Sequence, residues 1–72
     1  MKNDSYTTFV ARAAARRSLE AGPSFLRTET AALVIARNDF GHGAPPNRGG
    51  FNTELARRVI AEAFDAAGQA AA

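Results

Sequence analysis

The sequence predicts an all-α fold, a small three-helix domain with a long Gly/Pro-rich loop between the second and third helices, and three observations carry that prediction. Residues 53–67 place Leu55, Ala56, Val59, Ile60, Ala63, Phe64 and Ala67 on one half of a helical circumference. Gly22 and Pro23 supply a glycine followed by a residue that cannot continue a helix. Between Gly41 and Gly50 stand four glycines and the adjacent pair Pro45 and Pro46, through which no regular element runs.

The first helix is expected over about residues 5–21. Projected at helical spacing, Tyr6, Phe9, Val10 and Ala13 share a face, with Arg12 and Arg16 to one side and Arg17 close to the apolar stripe. A second helix is expected over about residues 28–40. Thr28 is its candidate cap, with Ser24 competing, and Glu29 lies near the positive end of the helix dipole. Ala31, Ala32, Leu33, Val34, Ile35 and Ala36 follow without a polar residue, which reads as the central, most buried element. The same run is short enough that Leu33 to Ile35 also fits a buried strand, but the only credible partner is Thr7 to Val10, so helix is preferred. Asp39, Phe40 and Gly41 read as its termination, with Gly41 left-handed and Phe40 turned back towards Leu33. The loop then spans residues 41–52, a long connection that is either a binding element or a flexible one. Asn52 caps the third helix, Phe51 is the apolar residue just before that cap, and Glu54 to Arg58 and Arg58 to Glu62 are spaced as intrahelical pairs. Gly68 is expected to end this helix and leave a frayed tail over 68–72.

The chain has 72 residues, and a domain of that size hides only about 60% of the surface its unfolded chain exposes. Fifteen sizeable apolar side chains are available to the core, so association with a partner or a second copy, a homodimer in the simplest case, is a plausible source of added stability. There are seventeen alanines and eight arginines against one lysine, a bias that suits a GC-rich bacterial or phage genome. With no cysteine, neither a disulfide framework nor a thiolate metal cluster can form. The longest apolar run, Ala31 to Ala36, is far below the ~20 residues a membrane-spanning helix needs. Arg12, Arg16 and Arg17 interrupt any secretory signal, and Asp4 and Glu20 argue against a mitochondrial presequence, which leaves a cytoplasmic location and no membrane partner as the expectation.

Residues that carry chemistry are scarce. One histidine, no cysteine and no local carboxylate cluster exclude hydrolytic triads, thiol catalysis and metal sites, so no catalytic residue, cofactor or metal is expected. His42, between Gly41 and Gly43, is read as a solvated loop residue because nothing rigid would hold it against a substrate. The Asp39-Phe40-Gly41 triplet lacks the rest of a kinase, and the glycines around Pro45 lack the Gly-Lys-Ser/Thr ending of a phosphate loop.

Charge is unevenly spread. Residues 1–27 hold five basic and two acidic side chains, whereas residues 28–72 hold four basic and five acidic ones. Arg12, Arg16, Arg17 and Arg27 are therefore candidate phosphate or partner contacts on and after the first helix. A helix-turn-helix fits poorly, because the third helix opposes its arginines with Glu54, Glu62 and Asp65 and one junction is a twelve-residue loop. Arg48 within a single Arg-Gly-Gly triplet is too little for an RNA-binding tail. The arginine-rich first helix, with Arg48 and Phe51 on the loop, points instead to a protein-binding module. The expected function is a non-enzymatic regulator or inhibitor, of the anti-defence kind carried by phages and mobile elements, that occupies a surface of a larger protein or ribonucleoprotein. A small DNA- or RNA-binding transcriptional regulator using the basic first helix is the alternative.

Overall fold

The first helix, α1 (Asp4–Leu19), starts at Asn3, whose side-chain oxygen accepts from the Tyr6 N–H at 3.1 Å and satisfies one of the donors a helix start leaves open. In the computed structural model, which describes residues 1–71, α1 is followed by a short 3-10 turn at Ser24–Leu26 and then by α2 (Glu29–Gly43) and α3 (Thr53–Ala71). No strand is present among the described residues. The helix α1 stops at Leu19, two residues short of the expected boundary, and Gly22 does not adopt the left-handed conformation of a glycine cap. The Arg16 and Ser18 carbonyls at the helix end accept from the Glu20 and Ala21 N–H groups, and the Arg27 guanidinium donates to the next carbonyls, of Ala21 and Gly22, both at 2.8 Å. Pro23 follows in extended conformation and turns the chain.

Thr28 caps α2 as the sequence indicates, accepting from the Ala31 N–H at 3.0 Å. The end of α2 differs from expectation: helix continues through Gly41 and His42 to Gly43, and Gly41 keeps a negative φ. What stops it is Pro45, because the residue before a proline is driven from helical to extended backbone, and Ala44 sits at φ −67° and ψ 136°. The run Leu33 to Ile35 is helical, so the strand alternative is set aside. Asn52 caps α3, accepting from the Leu55 N–H at 3.1 Å. This helix passes through Gly68 to Ala71 rather than fraying from residue 68, and Ala72 lies outside the described residues.

The core is built from small side chains. Thr7, Val10, Ala11, Ala14, Ala15 and Ser18 form the buried stripe of α1, Ala32, Ala36 and Phe40 that of α2, and Ala56 and Ile60 that of α3. Alanine on facing helices lets the backbones approach closely, and ridges of small residues then fit neighbouring grooves. Consequently α1, not α2, is the central element: it packs along both other helices, which meet each other over a shorter stretch. Val34, in the middle of the uninterrupted apolar run, is 64% exposed. The stripe Tyr6, Phe9, Val10 and Ala13 expected on α1 is also displaced, since only Val10 of the four is fully buried and Phe9 points outward. Ridge placement by bulk fails here because three alanines and two small polar residues offer a closer fit than one phenylalanine would.

Two buried hydroxyls lock the ends of the bundle. Thr7 accepts from the Asn52 N–H at 3.1 Å, joining the start of α1 to the start of α3. Ser18 donates towards the carbonyls of Leu26 and Thr28, joining the end of α1 to the start of α2. The loop over residues 44–52 is likewise tied down. Asn3 donates to the Gly50 carbonyl at 2.8 Å and Gly50 donates to the Met1 carbonyl at 3.1 Å, an isolated parallel bridge beside the N-terminus. Asn47 at φ 66° and Gly49 at φ 95° take the left-handed backbone that makes this return path. At Gly49 a Cβ would stand 2.9 Å from the Lys2 carbonyl carbon, so glycine is required by space as well as by φ.

Candidate functional site

Buried residues of α1 repeat at 7, 10, 11, 14, 15 and 18, so the side chains at 5, 9, 12 and 16 fall on the opposite face. That outer face carries Phe9, 65% exposed, with exposed Arg12 one turn away and Arg16 two turns away. Two shallow grooves meet at Phe9 and Ser5. One, of about 290 Å³, runs over Thr8, Arg12, Ala13 and Arg16. The other, of about 420 Å³, runs over Asn3 and Tyr6 to Pro45 and Arg48 of the loop. The bridge between Gly50 and the N-terminal strand of chain is what brings Arg48 alongside α1.

The ring of Phe9 is not an isolated ornament on this face. It lies 5.9 Å from the Tyr6 ring, Tyr6 lies edge-on to Phe40 at 5.4 Å, and Phe40 lies edge-on to Phe51 at 5.4 Å. Offset and edge-to-face pairs of this kind hold each ring in place. Gly43 leaves room for the Tyr6 hydroxyl, which any Cβ at that position would collide with. Arg37 closes the far end of the row, its guanidinium 5.8 Å from the Phe51 ring centre and donating to the Thr53 hydroxyl at 3.1 Å. An aromatic row anchored in the core thus supports one exposed ring.

The six residues singled out from the sequence divide into three groups. Arg12, Arg16 and Arg48 come together around Phe9, and among the described residues none of the three makes a hydrogen bond or ion pair within the chain. Arg17 and Arg27 are turned inward to the chain's own groups, Arg17 to Asp39 at 3.1 Å and Arg27 to the carbonyls after α1. Phe51 is half-buried in the aromatic row beneath Arg37. Phe9, missing from the six, is the residue that a buried-alanine reading of α1 finds: with residues 7, 11, 14 and 18 inward, position 9 must face out.

The remaining candidates are spread apart. His42 is in the last turn of α2, not in the loop, and its Nδ1 donates to the Asn38 carbonyl at 2.8 Å. Among the described residues no group of three histidine, cysteine or acidic side chains is placed to hold a metal ion. The intrahelical pairs expected of Glu54, Arg58 and Glu62 do not close to ion-pair distance, because exposed side chains at these positions gain too little to hold one rotamer each. No helix among the described residues is long and apolar enough to cross a membrane. No family model, no curated protein and no solved structure matches this chain.

Proposed function

We propose that the protein is a non-enzymatic regulator or inhibitor that works in the cytoplasm by laying the outer face of α1 on a surface of a larger protein or ribonucleoprotein. One observation carries this reading: an exposed phenylalanine, held from beneath by an aromatic row, lies among three arginines that have no partner within the described chain. Aromatic and arginine side chains are the usual energetic anchors of protein interfaces, the ring filling a pocket and the guanidinium forking onto carboxylates. A partner with an apolar depression rimmed by acidic groups fits this face. The small size, the lack of catalytic groups and the alanine and arginine bias suit the class of inhibitors carried by phages and other mobile elements.

Nucleic acid is the weaker reading. Arg17 and Arg27 are engaged within the chain, leaving Arg12, Arg16 and Arg48 as the compact group. Three phosphate contacts give a salt slope of only about −3 on duplex DNA, against about −10 for a dedicated binder. Two measurements decide. Titration of random duplex DNA and of single-stranded RNA at two salt concentrations is expected to show no binding tighter than the non-specific range of about 10⁻⁴ M. Affinity capture from a bacterial lysate, run side by side with wild type and with Arg12→Ala/Arg16→Ala, is expected to retain a protein on wild type and lose it on the variant. Tight, steeply salt-dependent RNA or DNA binding that the variant abolishes establishes the nucleic-acid reading instead.

A further inference from the structure

Apart from α1, the helices α2 and α3 enclose a groove of their own, about 510 Å³, to which no residue of α1 contributes. Its floor is Leu33, Ile60 and Ala61. Arg57 and Arg58 of α3 and Glu29 of α2 rim it. A second, more open groove of about 490 Å³ adjoins it, sharing Glu29 and Ala61 and lined otherwise by Glu62, Phe64 and Asp65. All three carboxylates are exposed, and none is in an ion pair among the described residues, Asp65 accepting only from the Gln69 amide at 3.3 Å.

We propose that this second, acidic groove receives the outer face of α1 from a second copy of the chain. The two surfaces are complementary in charge. Arg12 and Arg16 lie about 6 Å apart along α1, within side-chain reach of Glu62 and Asp65, which are about 4.5 Å apart along α3, and Phe9, one turn from Arg12, has Phe64 and Ala61 to meet. Pairing of two α1 faces with each other is disfavoured, because it would set Arg12 and Arg16 against their own copies. The contact is therefore face to groove, made once between successive copies or reciprocally in a two-fold pair. Being no larger than one helix face, it belongs to the weak, transient class and depends on salt. A docked copy has its α1 face covered, so self-association and capture of an outside partner exclude one another. This inference rests on the α1 face being the recognition surface, and it adds the groove as the internal competitor for that face.

Sedimentation equilibrium of the full chain tests it, up to about 1 mM protein, where a contact worth about 4 kcal/mol is half formed. The mass average is expected to rise with concentration at low salt and to return to the monomer at high salt. Two charge-neutralised variants separate the surfaces: Arg12→Ala/Arg16→Ala disables the face and Glu62→Gln/Asp65→Asn disables the groove, and neither creates a new charge match with the other. Each is expected to be monomeric alone, and an equimolar mixture to form a one-to-one complex that grows no further, because only one face and one groove remain intact. Circular dichroism establishes that both stay helical; should either lose helicity, Arg16→Ala and Asp65→Asn replace them, each expected to weaken association about two- to fivefold. A wild type that stays monomeric at low salt, a variant that still self-associates, or a mixture that forms no complex overturns the proposal. The groove variant keeps an intact α1 face, so retention of an outside partner by that variant shows the α1 reading standing whether or not self-association occurs.

Discussion

Single residues of this chain do work that their size conceals. Ser18 is fully buried and its hydroxyl faces two carbonyls in the connection to α2; Ser18→Ala leaves that of Leu26 without this donor, while that of Thr28 keeps the Ala32 N–H. A loss of about 1–3 kcal/mol in urea-unfolding free energy is expected; an unchanged midpoint would mean that the Leu26 carbonyl reaches water. Gly49 combines φ 95° with a backbone neighbour 2.9 Å from where its Cβ would lie. Gly49→Ala is therefore expected to cost about 1–3 kcal/mol by the same measurement, whereas Gly50→Ala, where a Cβ meets nothing within 4 Å, is expected to be tolerated. Phe9 illustrates the opposite case, a large apolar side chain that the fold does not use. Its exposure, together with Arg12, Arg16 and Arg48 around it, is what the proposed recognition role rests on.

At the scale of elements, helix existence was legible in the sequence, whereas the buried face was legible only in α3. The caps Thr28 and Asn52 act as their residue types require, since a hydroxyl or amide oxygen placed before a helical run finds an open N–H. The stripe of α3 was readable because Leu55, Val59, Ile60 and Phe64 are large and evenly spaced. In α1 the same logic misleads, because Tyr6 and Phe9 outweigh Ala11, Ala14 and Ala15 in any count of bulk while the alanines permit the closer helix contact. Bulk misleads again in α2, where a continuous apolar run suggested full burial and only Ala32 and Ala36 of its six residues are fully buried, Val34 being exposed. Gly41 and Gly43 were read as helix breakers, yet glycine merely weakens a helix, and the terminating force is the proline at 45 acting on Ala44. The alanine interface makes a sharp prediction: Ala14→Leu adds volume where the fully buried Cβ has none to spare. It should destabilise by about 1–3 kcal/mol in thermal or urea unfolding, while Ala66→Leu on the exposed side of α3 should change stability by less than about 0.5 kcal/mol.

For the whole molecule, the sequence disclosed the polarity of charge but not its use. Excess positive charge sits in the first 27 residues, as composition shows, yet two of those arginines are consumed by Asp39 and by the carbonyls after α1. The pairing of Arg27 depends on the turn between α1 and α2, and that of Arg17 on α1 packing beside α2, which no local pattern reveals. The same is true of Arg48, which joins Phe9 only because the loop is bridged to the N-terminal residues. The account stands or falls on whether the outer face of α1, and Phe9 in particular, is the binding surface. Phe25 is an internal control, because it is 74% exposed and lies outside the grooves around Phe9. The most direct measurement is the dissociation constant of the captured partner for Phe9→Ala and Phe25→Ala, each compared with wild type and each shown by thermal unfolding to remain folded. The account predicts a loss of about 2 kcal/mol, roughly 30-fold in affinity, for Phe9→Ala and no measurable change for Phe25→Ala. Equal affinities for wild type and Phe9→Ala, or a loss confined to Phe25→Ala, would contradict it.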